Sequence, residues 1–552
     1  MLRPTFTIVL LIAFQWLSAQ PKLVVGLVVD QMRWDYLQRY SSQFSKQGFG
    51  RLLREGAVFT DCKIPYIPTY TAPGHASIYS GSVPALHGIA GNDWISRSDL
   101  KTHYCVEDPA VRPLGGTDKA GKMSPKNLLA SSLGDEIKLS GNFKGKVIGI
   151  AIKDRSAILP AGHGADAAYW YDPDSMNWIS SSWYMNALPQ WVMDFNRSKK
   201  NLLLMKEGWK ADTEVSFSQS TADDSPYEKN FRNESSPVFP HLQKLSDAEK
   251  AAQIRVSPQG STFTLDFARE ALLREGLGKD SHTDLLAISF SSPDYVGHQF
   301  GTYSMETEHV YRQLDRDLAA FLGFLDQEVG KGNYLLFLTA DHGAAHNARF
   351  LQDSSMHAGL FKEKAMEELI NRLLQQRYGE GPWVKGFNNQ QIYLNDSLVH
   401  RFNPDLLEMA SWLGEKLEME GVQKVIALDY ARSSSVTKSV LERVVNGYYP
   451  ARCGHLQVLF SAGYMSDHYE KGTTHGTHYN YDTHIPLIFM GAGIKAGRSD
   501  FPCEMTDIAP SVCQWLGIQE PNAAIGKSLL NVGEIDRPGS GQRDQVKSKL
   551  KR

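Results

Sequence analysis

Aspartate and histidine recur along this 552-residue chain in spacings that suit a metal centre. The run Ser291-Ser292-Pro293-Asp294-Tyr295-Val296-Gly297-His298 carries a D-x-x-x-H pair, which converges on one ion if the segment makes a helical turn. In Thr339-Ala340-Asp341-His342-Gly343 a carboxylate and an imidazole are adjacent after an apolar run. Neighbouring side chains of an extended strand point apart, so two ligands in a row imply a bend, which Gly343 would allow. Asp30 follows Leu27-Val28-Val29, and His475 stands in Gly472-Thr473-Thr474-His475-Gly476, ahead of Asp482-Thr483-His484-Ile485-Pro486. Each has an ordinary reading alone: an Asp after a buried strand is commonly a turn or helix cap, and many Asp/His spacings are accidental. Taken together, carboxylate oxygens and imidazole nitrogens without thiolate suit catalytic zinc. The set divides in two. Asp294, His298 and His475 would hold one ion and Asp30, Asp341 and His342 the other, each leaving a position for nucleophile or substrate.

A nucleophile candidate lies in Ile67-Pro68-Thr69-Tyr70-Thr71-Ala72-Pro73-Gly74-His75, where turn-forming residues precede a possible helix. A Thr before Ala-Pro is commonly a helix cap. A hydroxyl of ordinary pKa is a poor nucleophile at neutral pH, and direct zinc coordination is one way to make Thr71 an alkoxide.

Apolar, β-branched runs able to carry these residues are Leu23 to Val29, Val147 to Ile152, Leu285 to Phe290, Tyr334 to Leu338 and Ile485 to Met490. Their composition predicts strands buried on both faces. Amphipathic stretches separate them, the clearest having Val310, Leu314, Leu318, Phe321, Leu322 and Leu325 at helical spacing. The alternation predicts an α/β fold with a mostly parallel central sheet and helices on both faces, in which ligands bind at the carboxyl ends of the strands. Segments 160–280, dense in Trp, and 345–470 interrupt the alternation and are expected as insertions that cap the site, although aromatic clusters are commonly ordinary core. The catalytic domain is expected over 20–533, followed by a polar, flexible tail over 534–552.

Residues 1–19 have the charged, apolar and small-residue order of a secretory signal, with cleavage expected after Ala19. The apolar core is too short for a membrane span, which predicts a soluble periplasmic or secreted protein. A retained N-terminal anchor is the alternative. The net charge of -3 gives no electrostatic footprint for nucleic acid. Five scattered cysteines allow at most two disulfides, whose pairing the sequence leaves open.

The combined pattern resembles the alkaline phosphatase superfamily, and most closely the phosphate-irrepressible, Thr-nucleophile bacterial enzymes of the PafA type. The similarity runs from about Lys22 to Lys527. It is carried by Val28 to Tyr36, Pro68 to His75, Gly88 to Trp94, Lys153-Asp154-Arg155, Asp294 to His298, Asp341-His342-Gly343 and Gly472 to His475. The resemblance implies two Zn2+ ions and attack by Thr71 on phosphorus, giving a phosphothreonine that water hydrolyses. It assigns Asp30, Asp341 and His342 to the zinc that activates Thr71, and Asp294, His298 and His475 to the zinc at the leaving oxygen. It also places Asn92, Lys153 and Arg155 on the phosphoryl oxygens that are not displaced. A monoester dianion presents three charged oxygens to Lys153 and Arg155, whereas a diester covers one, so these residues favour small-molecule phosphate monoesters. Phosphate scavenging is the role this suggests by analogy. The nearest alternative is a phosphodiesterase or nucleotide pyrophosphatase of the same superfamily. A sulfatase is disfavoured because Thr71 cannot become formylglycine and His75 stands where its signature has Arg. A non-catalytic binding protein that keeps the fold is the remaining alternative.

Overall fold

The computed structural model describes residues 20–212, 217–232 and 234–529. The expected signal, residues 1–19, and the tail from 534 lie outside the described residues. The apolar runs form strands β1 (Leu23–Val29), β2 (Ala57–Lys63), β3 (Val147–Ala151), β4 (Ala167–Asp172), β5 (Asn177–Ser181), β6 (Asp284–Phe290) and β7 (Tyr334–Thr339). A second group comprises β8 (Val384–Asn388), β9 (Gln391–Leu394), β10 (Val422–Ala427) and β11 (Leu456–Phe460), and β12 (His484–Gly491) follows.

The principal strands of an eleven-stranded sheet run in the order β2-β12-β7-β1-β6-β3-β4-β5. β1 is central and parallel to both neighbours, Val25 standing opposite Leu336 on one side and Leu286 on the other. Every residue of β1, β6 and β7 is buried, as expected of β-branched and leucine-rich strands covered on both faces. Strand β12 is antiparallel to β7 and to β2, so β2 points the same way as β7. The carboxyl ends of β1, β2, β3, β6 and β7 therefore share one edge with the amino end of β12. That edge receives every residue expected at the site.

The amphipathic run is the helix Met305–Leu325, with Ser304 capping Thr307 and all six expected apolar positions buried. Asp315 on that helix is also buried, because its carboxylate accepts from the backbone N–H of Ser45 and Phe49, both at 2.7 Å.

Segment 160–280 supplies β4 and β5 to the main sheet before the helix Pro258–Glu275 packs on them. Its aromatic residues are largely core: Trp178 stacks on Phe267 with ring centroids 4.5 Å apart. Segment 345–470 contains a separate four-stranded sheet, in the order β8-β9-β11-β10, with its own apolar cluster including Trp383, Ile392, Leu413 and Val425. The five cysteines are buried free thiols. Among the described residues no helix is long and apolar enough to cross a membrane.

Candidate active site

Asp30 is the residue after β1 and Asp341 lies two positions after β7, where the chain bends. The expected bend after β7 is present, but Gly343 serves it by close approach. Its backbone lies against that of Tyr481 and Asp482, and its N–H donates to the Asp482 carbonyl at 2.7 Å. Asp294 and His298 lie one turn apart on the helix α2 (Ser292–Phe300), which starts just beyond β6. His298 Nε2 is 3.2 Å from Asp294 Oδ1. The loop before β12 brings in His475.

The ligand atoms of Asp30, Asp341 and His342 lie within 4.8 Å of one another, and so do those of Asp294, His342 and His475. His342 thus stands in both groups, its ring stacked on His475 with centroids 3.5 Å apart. His298 belongs to neither tight group and stands on the outer side of Asp294.

The three histidines share one arrangement. Nδ1 donates to a backbone carbonyl in each: His298 to Thr473 at 2.7 Å, His342 to Gly343 at 2.9 Å and His475 to Thr69 at 2.7 Å. A carbonyl only accepts, so Nδ1 carries a proton in each and Nε2 faces the carboxylates. Burial keeps the His342 and His475 rings uncharged, lowering His475 to about 3 and holding His342 well below its ordinary value.

Asp30, Asp341 and Asp294 are buried around the single ammonium of Lys153, which lies 2.7 Å from Asp30 and 2.6 Å from Asp294. Three carboxylates against one cation leave an excess of two negative charges if all three are ionised. Burial pushes Asp30 up to about 6, and burial together with the Asp30 charge pushes Asp341 well above the carboxylate range. At Asp294 burial acts upward but His298 and Lys153 outweigh it, so its carboxyl is held well below that range. Asp30 Oδ1 and Asp341 Oδ2 are buried without a hydrogen-bond partner. Orphaned carboxylate oxygens beside oriented, neutral imidazoles are what divalent cations require. The residues fit a metal centre.

Thr71 opens the helix α1 (Thr71–Ser80) and is buried. The N-cap position is Tyr70, and Thr71 Oγ1 makes no capping bond. It lies 3.3 Å from Lys153 Nζ and 3.5 Å from His342 Nε2, at the junction of the two ligand groups. Asn92 Oδ1 accepts from the Ala72 N–H at 2.9 Å, which ties Asn92 to the first turn of α1. Lys153 follows β3 and turns inward to the carboxylates. Arg155 lies beside it, with Nη1 donating to the Tyr104 hydroxyl at 3.0 Å, while that hydroxyl donates to Asp154 at 2.6 Å.

Two residues, Gln31 and His75, have positioning roles that the sequence did not indicate. Gln31 has φ 66, and this turn lets its N–H donate to Asp341 Oδ1 at 3.1 Å while Nε2 donates to Asp294 Oδ1 at 2.7 Å. It links the two ligand groups. His75 Nδ1 donates to the Thr71 carbonyl at 2.8 Å and Nε2 accepts from Ser289 at 2.8 Å, so a buried imidazole pins the first turn of α1 to β6. Their signal was adjacency to Asp30 and Thr71, but the partners that define their roles lie hundreds of residues away.

An α/β sheet with a two-group carboxylate and imidazole site at its carboxyl edge defines the class, and the sequence comparison agrees. Residues 24–481 match the type I phosphodiesterase / nucleotide pyrophosphatase family, and the chain belongs to it. It is 43% identical over 517 residues to alkaline phosphatase PafA of Elizabethkingia meningoseptica, covering 93% of this chain and 94% of that protein. It is 47% identical over 516 residues to a Myroides odoratus protein named calcium-transporting ATPase, covering 92% and 94%. A crystal structure of wild-type PafA superposes with a TM-score of 0.88 at 42% identity, over 92% of this chain and 98% of that one.

Proposed function

We propose that this chain is an exported, two-zinc phosphatase that hydrolyses small phosphate monoesters through a phosphothreonine at Thr71. The observation that carries the reading is Thr71 itself: a buried hydroxyl at the head of α1, free of capping and aimed at the junction of two Asp/His groups. Relatives named alkaline phosphatases match it along nearly their full length.

Asp30, Asp341 and His342 would hold one ion, and Asp294 and His475, with His298 beside them, the other. Bound there, divalent cations would supply the positive charge that lowers the cost of an alkoxide at Thr71 and of a negative leaving oxygen. The chain's own residues do the rest. Asn92 and Arg155 bind the oxygens of the phosphoryl group that are not displaced, with Tyr104 fixing the guanidinium. Thr71 Oγ1 gives its proton to solvent as its bond to phosphorus forms, and the bond from phosphorus to the leaving oxygen breaks, that oxygen keeping the electron pair and taking a proton from solvent. Lys153 Nζ, 3.3 Å from Oγ1, stays within reach of a phosphoryl group on Thr71. Water then forms a bond to phosphorus and gives up a proton, the Thr71 O–P bond breaks with its electron pair going to Oγ1, and Oγ1 takes up a proton, so that the hydroxyl is restored and phosphate is released. The positive end of α1 points at the same place and favours the added negative charge.

Lys153 and Arg155 carry the preference for monoesters, because a dianion gains from both cations and a diester covers one of the oxygens they neutralise. The family name supports a second reading, a phosphodiesterase with the same nucleophile and ligands. As for the relative named an ATPase, the terminal phosphoryl of ATP is chemically open to the same attack, so ATP hydrolysis would require no second centre. kcat/KM on an aryl phosphate and on its matching diester, measured side by side with zinc-loaded protein, tests the assignment. A strong monoester preference supports it, and a diester preference moves the chain to the second reading.

A further inference from the structure

Between the ligand groups and the separate four-stranded sheet lies a cleft of about 250 Å3, into which His298, His475 and Asn92 face. Its outer wall is the β8–β9 hairpin turn. Asn389 and Gln390 have φ of 54 and 58, the left-handed geometry of a tight two-residue hairpin turn. The turn is fastened to the catalytic domain: Asn388 Nδ2 donates to Asp93 Oδ1 at 2.7 Å and Asn389 Nδ2 to the Asp93 carbonyl at 2.8 Å, next to Asn92. At Gly91 a Cβ would come 2.5 Å from Asn389 Nδ2 and 2.7 Å from the Asp93 carbonyl oxygen to which that amide donates, so a side chain there would disturb the docked turn. The wall is therefore a built part of the site.

Its chemistry is uneven. Tyr70, Phe387 and Tyr469 line it with aromatic rings. The acidic side chains are Asp93, buried Asp482 and Glu363, the first residue of the helix Glu363–Tyr378. Among the described residues lining the cleft there is no Lys or Arg. Lys362 and Lys364 flank Glu363 in sequence without lining the cleft, and Lys153 and Arg155 sit at the phosphoryl end. A leaving group entering this space meets rings, amides and carboxylates, with no Lys or Arg in the lining to pair with a negative charge it carries beyond the leaving oxygen.

Resting on the phosphomonoesterase reading above, we propose that this cleft is the leaving-group subsite and that it selects uncharged or cationic organic groups, preferably planar ones, over groups bearing additional negative charge. Ring faces attract cations and stack on planar groups, and the carboxylates repel anions. Phe387 and Glu363 are the specificity-determining residues. By this argument ATP, whose leaving group is a polyanion, ranks below a neutral aryl phosphate.

The test uses the mature, zinc-loaded protein and three phenyl phosphates matched in the acidity of the phenol, bearing a meta trimethylammonium, an uncharged substituent or a sulfonate. kcat/KM at low salt is expected to be at least about threefold lower for the sulfonate than for the other two, the gap closing as salt is added. Glu363→Lys should narrow or invert the gap and Glu363→Gln should narrow it less. Phe387→Ala should lower turnover of all three phenyl esters relative to methyl phosphate. Equal or faster hydrolysis of the sulfonate by wild type, or a ratio that Glu363→Lys leaves unchanged, overturns the subsite while the monoesterase assignment stands. Failure to hydrolyse any of the three overturns both.

Discussion

A single methyl group added at Gly74 measures how closely the nucleophile and the metal ligands must approach. Gly74 lies in the first turn of α1, which begins with Thr71, and faces the end of β7, which carries Asp341. A Cβ there would sit 2.6 Å from Asp341 Cβ and from its carbonyl oxygen, and 2.9 Å from its Cα. Two of the three obstructing atoms belong to the backbone, so no side chain can swing aside to make room. Non-bonded carbons settle at about 3.5 Å, which requires α1 and the strand end to part by roughly 0.9 Å. A displacement of about 1 Å in a reacting group can cost about 100-fold. Gly74→Ala is therefore expected to lower kcat/KM on an aryl phosphate by about 100-fold, equivalent to about 2.7 kcal/mol in the barrier. Initial rates, zinc content and a thermal melt on the same preparation separate misplacement from unfolding. Gly323→Ala is the control: it lies in the helix Met305–Leu325 with nothing within 4 Å of an added Cβ. It should keep full activity and gain about 0.5–1 kcal/mol of stability. A folded Gly74→Ala protein with normal zinc and activity within threefold of wild type would refute the reasoning.

Other perturbations reach different parts of the same scheme. Thr71→Ala should remove most turnover while leaving zinc content and the melting temperature nearly unchanged, and unchanged turnover would defeat the nucleophile assignment. Lys153→Ala combined with Arg155→Ala should depress monoester hydrolysis far more than diester hydrolysis, and equal losses would sink the substrate argument. A chelator should lower both activity and melting temperature, because the buried carboxylates then face one another with only Lys153 between them, and added zinc should restore both. Glu228 is buried, and its burial, with Glu306 beside it, pushes its carboxyl up to about 10. Between the ordinary carboxylate range and about 10 the folded state binds more protons than the unfolded one, so stability falls as pH rises. Melts from pH 5 to pH 10 should show a shallower decline in Glu228→Gln than in wild type, and parallel curves would count against it.

The parts of this protein that were legible in sequence depend on short-range patterns. Strands β1, β6 and β7 are continuous apolar runs, and the spacing of Asp294 and His298 needs only one helical turn, so both could be read without knowing what they pack against. Thr71 was harder, because an identical local sequence serves as a cap, and it took the distant Asp and His residues to favour chemistry. The sequence divides the ligands into two triads by residue type and spacing, and the structure adds that the His342 ring lies in both tight groups while His298 stands outside them. That sharing follows from the bend after β7, which turns the His342 ring between Asp30 and His475, and chain order does not encode it. Gln31 and the Asn388–Asn389 turn were invisible for a related reason. Their side chains act on partners at Asp294 and Asp93, contacts made only once the sheets are assembled.

The sheet topology explains why ligands from both ends of the chain meet without strain. β12 arrives late in the sequence, and being antiparallel to β7 it presents its amino end, with the loop that carries His475, to the edge where the parallel strands finish. Had β12 been parallel, that loop would lie at the opposite edge, roughly a strand's length of about 20 Å away. The loop is then oriented by backbone: the Thr69 carbonyl fixes His475, and the Thr473 carbonyl in turn fixes His298. Segment 64–70 therefore does two things at once. It leads from β2 to Thr71, the proposed nucleophile, and it holds His475, a proposed ligand of the second group, in the only tautomer that leaves Nε2 free. A distortion of this segment that moves Thr71 must also move the His475 ring, which couples the position of the attacking oxygen to the integrity of the metal group at the departing one.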